Sequence, residues 1–180
     1  MSMIRLGSEK SLQIMSDIEK MVDFDRDLPA NVFRSKGYVF WFFERPLIDF
    51  VEGVTELVSA SYKDFASDVF ISSSGGGETC FLFDGKDIGA SAELINSGFR
   101  NFFGGEVGYP MVMGDLGFNW LAYESAYEEF GVLALRGDSD CPSFAEALQR
   151  NLLSSDQFQV LESEHEFMVK VVKAFREYFI

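Results

Sequence analysis

Three short apolar runs follow one another in the second half of the chain: Tyr109–Met113, Phe118–Glu124 and Phe130–Arg136. Each has the length of a strand, and the links between them are Gly-rich or polar. Strand-length runs joined by such short links are consistent with a meander. An earlier pair repeats the logic. Asp68–Ser72 and Glu78–Phe83 flank Ser73-Ser74-Gly75-Gly76-Gly77, a link suited to a hairpin. Tyr38–Phe43 reads Tyr-Val-Phe-Trp-Phe-Phe, which suits a strand buried on both faces or the entry to the next helix.

Between these runs the apolar spacing changes to a helical one. Leu12, Met15 and Ile18 predict a helix over Ser8–Val22, with Ser8 or Ser11 able to cap it. Pro46 suits the first helical position, and Leu47, Phe50, Val51, Val54, Leu57 and Val58 trace one apolar face to about Ala60. Gly53 weakens that helix by roughly 1 kcal/mol relative to Ala. Ala90–Phe103 follows, ended by Gly104-Gly105. Ser139, Asp140 and Pro142 open a helix over Ser143–Leu153, and a last one runs from about Ser163 to Phe179. The blocks predict an α+β fold, one antiparallel or mixed sheet of about five strands covered by helices. At 180 residues, without a linker or repeat, the expectation is a single domain over 1–180. A chain of this size buries roughly 70% of its extended surface. With 20 Phe, 6 Tyr and 2 Trp, aromatics can fill that core and leave some for an interface.

Charge narrows the function. The net charge is −14, and Asp64–Asp140 carries thirteen acids against Lys86, Arg100 and Arg136. Nucleic-acid binding needs cations to displace phosphate counterions, and an anionic membrane surface would repel this chain, so neither partner is expected. The first residues lack the apolar core of a signal peptide, and no apolar run nears the ~20 residues of a membrane span. A cytoplasmic location is expected. Cys80 and Cys141 lack metal or redox spacing and read as reduced, buried thiols.

Catalytic constellations are thin. His165 is the one histidine; it sits among Glu162, Glu164 and Glu166, in no metal-ligand spacing, and reads as an exposed helix residue. Ser73–Glu78 lacks the Lys of a phosphate loop, and a strand rather than a helix follows it. Asp23-Phe-Asp25-Arg-Asp27 and Asp138-Ser-Asp140 are fragments of a calcium-loop pattern that neither completes. With 29 acids present, some carboxylate pairing arises by chance and selects no pair. No cofactor, metal or catalytic residue is therefore expected.

The richest segment is Gly117–Arg136. Alternation places Phe118, Trp120 and Ala122 on one face and Asn119, Leu121 and Tyr123 on the other. Tyr123, Glu124, Tyr127, Glu128 and Glu129, with Asp138 and Asp140 further on, set acid beside tyrosine. That pairing suits a partner's Lys or Arg through charge-assisted hydrogen bonds and cation–π contact, whereas a purely structural reading makes Trp120 core and the glutamates a solvated turn.

The Trp-x-x-Tyr-Glu strand, the acidic-aromatic turn and the Gly-Val-Leu-Ala-Leu strand resemble late hairpins of bacterial immunity proteins. Those proteins act in contact-dependent growth inhibition and other polymorphic toxin systems. The resemblance covers about twenty residues of a chain this long, a length typical of one hairpin. It implies a non-enzymatic inhibitor that occludes a cognate toxin domain, often a basic nuclease. Other readings are a nucleic-acid-mimicking phage inhibitor, an adaptor, or a small hydrolase with convergent acids in an enclosed pocket.

Overall fold

The computed structural model describes residues 3–74, 79–103, 108–161, 170–171 and 173–175. The predicted hairpin is β3 (Val69–Ser73) and β4 (Thr79–Phe83), paired antiparallel with Ser73 opposite Thr79. The predicted meander is β5 (Met111–Asp115), β6 (Trp120–Glu124) and β7 (Phe130–Arg136). Tyr38–Glu44 forms β2, which settles the open choice in favour of a strand. It pairs along its whole length with β7, from Tyr38 opposite Arg136 to Glu44 opposite Phe130.

Two short strands complete the sheet, β1 (Met3–Arg5) beside β4 and β8 (Leu153–Ser154) beside β2. The order is β1-β4-β3-β5-β6-β7-β2-β8, all antiparallel. The fold is thus α+β with one antiparallel sheet of eight strands, not about five. The excess has a physical origin. β1 and β8 are too short for an alternation signal of their own and exist only through their partners.

Helices cover both faces. α2 (Val51–Phe65), α3 (Ile88–Phe103) and α4 (Pro142–Asn151) bury Val54, Ile95 and Phe144 with Ile71, Phe81, Trp120 and Leu133. On the other face, α1 (Ser8–Met21) and the segment 22–33 bury Ile14, Ile18, Val22 and Phe33 with Phe70, Leu121, Tyr123 and Val132. Val171 and Phe175 close this second core, Phe175 lying edge-on to Phe40 with ring centroids 5.0 Å apart. β3, β5 and β6 are buried at every position because each pleat meets a covering layer. α5 (Ser155–Leu161) follows β8. No helix among the described residues is long and apolar enough to cross a membrane.

Several local expectations change. α1 begins after Gly7, and no side chain caps it. The helix predicted from Pro46 is broken into a 3-10 turn, Leu47–Asp49, and α2, with Phe50 between them at φ −88°, ψ 61°. Phe50, expected on the apolar face, is 53% exposed. Gly53 has a positive purpose: a Cβ there would stand 2.9 Å from Asn151 Oδ1, so the glycine leaves room for the Asn151 amide, which donates to Glu56. α4 is capped across the fold, where Asp64 Oδ2 accepts the Phe144 N–H at 2.8 Å. Strand alternation fails at Phe118, which adopts φ 52° and packs against Phe70 on the α1 side of the sheet. Asp115 builds that turn by accepting the N–H groups of Gly117, Asn119 and Trp120. Of the predicted final helix, residues 170–171 and 173–175 are helical; the rest, His165 included, lies outside the described residues, as do Gly104, Gly105 and residues 75–78.

Candidate functional site

The meander divides the predicted site residues between opposite ends of the sheet. Tyr127, Glu128 and Glu129 form the turn before β7, whereas Asp138 and Asp140 follow its last residue. A seven-residue strand separates the groups by roughly 20 Å. Asp138 and Asp140 are exposed, and Asp140 lies beside Cys141, whose thiol is raised by burial and then by Asp64 and Asp140. The two groups do not form one surface.

Tyr123 and Glu124, expected to face a partner, are buried instead. Tyr123 is wholly inaccessible because α1 and the segment 22–33 cover its face of the sheet. Its hydroxyl donates to Asp27 Oδ1 at 3.2 Å, and Asp27 Oδ2 accepts the Ala126 N–H at 2.9 Å. Burial, then the Asp27 charge, pushes the Tyr123 hydroxyl well above its usual range. Asp27, in the run that reads as an incomplete calcium-loop pattern, therefore ties its loop to the turn. Asp23 of the same run holds Arg26 and Arg34 at 3.2 and 3.0 Å.

Glu124 is 8% exposed and accepts the Leu47 N–H at 3.0 Å. Burial lifts its carboxyl to about 7, against the opposing pull of that N–H, the Tyr109 hydroxyl and Arg45. Arg45 lies 4.5 Å over the Tyr109 ring and donates to the Ser125 carbonyl at 3.0 Å. Tyr109 is in turn raised, first by burial and then by Glu124. This network locks the 3-10 turn, the start of β5 and the end of β6 together. The Glu124 carboxyl is buried beside Tyr109 and Arg45.

What remains exposed here is a short acidic-aromatic ridge. Tyr127 is 84% exposed, Glu129 is exposed and Glu128 half-buried. The register sets Glu44 opposite Phe130, next to this turn. Glu44 and Glu129 line a cleft of about 360 Å³ together with Arg45, Phe99, Arg100 and Tyr109. Glu44 also lines a second concavity of about 700 Å³ with Asp49 and Glu52. Glu44, Asp49, Glu52, Glu128 and Glu129 make no ion pair among the described residues. Glu44 escapes sequence reasoning because the pairing of β2 with β7 alone brings it to the Tyr127 turn, and Asp49, Phe50 and Glu52 because only the fold sets them with Glu44 around one concavity.

Cys80 is buried against Ser72, and its thiol is pushed up to about 12, chiefly by burial. Among the described residues no group of three His, Cys, Asp or Glu side chains is placed to hold a metal ion. No protein-family model, no curated protein and no solved structure matches the chain.

Proposed function

We propose that the chain is an immunity-type inhibitor: it binds and neutralises a basic toxin domain with the ridge of Glu44, Tyr127, Glu128 and Glu129. The observation that carries this reading is that Glu44 and Glu129 line one cleft beside the turn of the 84% exposed Tyr127, and that Glu44, Glu128 and Glu129 make no ion pair among the described residues. Carboxylates of this kind meet Lys and Arg at little desolvation cost while still wet, and close with charge-assisted hydrogen bonds. An exposed tyrosine among them supplies an apolar anchor and a face for a cation. A nuclease groove, built to receive phosphates, offers the matching charge.

The test is co-expression. The C-terminal region encoded by the adjoining reading frame is expressed with and without this chain. Arrest by that fragment alone, relieved by this chain in a stable complex, supports the proposal. A harmless fragment, or one that stays toxic in the presence of this chain, overturns it.

A further inference from the structure

The 700 Å³ concavity holds chemistry that the turn lacks. It opens between the start of α2 and the end of α4, beside β2 and β8. Its walls include the buried side chains of Phe43, Leu47, Leu57 and Leu152. The Phe50 ring, half exposed at the head of α2, stands at the same opening. A phenylalanine left in water beside an apolar wall forfeits transfer free energy that an occupant would restore. The volume falls within the roughly 300–1,000 Å³ of ligand pockets, room for more than one side chain.

Three carboxylates, Glu44, Asp49 and Glu52, stand around this apolar floor. The guanidinium among the lining residues does not offset them. Arg150 is held by Glu56 at 2.5 Å and approaches Glu146 at 3.7 Å. The groove is therefore apolar at its base and negative at its rim. An anionic occupant would meet uncompensated like charge, which is a barrier as selective as any attraction.

We infer that this groove receives a bulky apolar side chain flanked by Lys or Arg, presented by a basic segment of a partner protein. The inference rests on the reading that this end of the molecule meets a basic partner, and it adds a second, concave anchor to the one Tyr127 offers. Charge on the rim sets the rate of encounter, and the apolar residue seated against Phe50 and Leu152 sets the lifetime of the complex.

The experiment uses the full chain and two labelled amphipathic peptides, one of Leu and Lys and its twin of Leu and Glu, read by fluorescence anisotropy. Saturable binding of the Lys peptide and none of the Glu peptide is expected. Phe50→Ser, and separately the pair Glu44→Gln with Glu52→Gln, should each weaken binding by about tenfold or more, as loss of an anchor does. The pair Glu9→Gln with Glu19→Gln, exposed on α1 across the sheet, should leave binding unchanged. Equal binding of both peptides, no binding, or equal weakening by the α1 pair overturns the groove. Rescue in co-expression without peptide binding would remove the groove alone. Peptide binding without rescue would remove the neutralising role alone.

Discussion

Gly131 faces Phe43 across the β2–β7 ladder, and the Phe43 ring fills the space in which a Gly131 Cβ would stand. The glycine is thus a packing element, the complement of a ring buried in the α2 core. Gly131→Ala should destabilise the fold by about 1–3 kcal/mol through overpacking. In a Phe43→Ala background the same change should cost far less, since the pair then no longer competes for one volume. Urea midpoints of the four proteins give the coupling; equal costs in both backgrounds would show that the ring is not the cause.

Glu124 makes stability depend on pH. Its carboxyl rises from an ordinary 4.5 to about 7 on folding, so the folded chain keeps a proton that the unfolded chain releases. Below about 4.5 both states are protonated and the group contributes no slope. Between 4.5 and 7 the unfolded state binds fewer protons, and stability falls with rising pH, in total on the order of 3 kcal/mol. Above 7 the loss is complete. Glu124→Gln keeps an oxygen for the Leu47 N–H but cannot titrate, so its advantage over the native chain should grow across that window. Parallel urea midpoints for the two proteins from pH 4.5 to pH 8 would refute this.

Much of this architecture is legible before folding, because period-two and helical spacing are local properties. The hairpin β3–β4 and the meander β5–β6–β7 need only strand-length runs and short links. What escapes is set by distant residues. β1 and β8 acquire strand geometry from β4 and β2, and α4 takes its cap from Asp64 rather than from Ser139 or Asp140. The candidate site follows the same division. Alternation correctly separates Trp120 from Tyr123, but whether the Tyr123 face is wet depends on α1 and the segment 22–33 folding over it. Glu44 reaches Glu129 only through the β2–β7 pairing, so no spacing within either segment announces that they share a cleft.

Asp27 should matter more than its loop position suggests. Tyr123→Phe removes the hydroxyl and its bond to Asp27 and should cost about 1 kcal/mol. Asp27→Ala leaves both the buried Tyr123 hydroxyl and the Ala126 N–H without their carboxylate and should cost about 2–3 kcal/mol. Thermal or urea unfolding of the two variants checks the order. An Asp27→Ala variant as stable as the native chain would make the loop merely solvated.

The cap on α4 offers a fourth stability test. Asp64→Ala removes the acceptor for the Phe144 N–H, the first-turn donor that Asp64 Oδ2 meets at 2.8 Å. The expected cost is about 1 kcal/mol, with Asp64→Asn recovering most of it because an amide oxygen still accepts. Asp140→Ala, the cap suggested by proximity in sequence, should change little. A reversed order in urea midpoints would restore the local cap.

The exposed ridge should separate binding from stability. Tyr127→Ala and Glu129→Lys alter side chains that project from the turn and should shift unfolding by no more than about 0.5 kcal/mol. With the neutralised partner in hand, Glu129→Lys should slow association and flatten its dependence on salt, because attraction across the solvent gap is screened within about 10 Å at 0.1 M. Tyr127→Ala should instead speed dissociation, since an anchor acts after contact is made. Stopped-flow association at several salt concentrations tells the two apart. Rates indifferent to both salt and Glu129→Lys would leave charge without a role in recognition and shift the burden to the apolar groove beside Phe50.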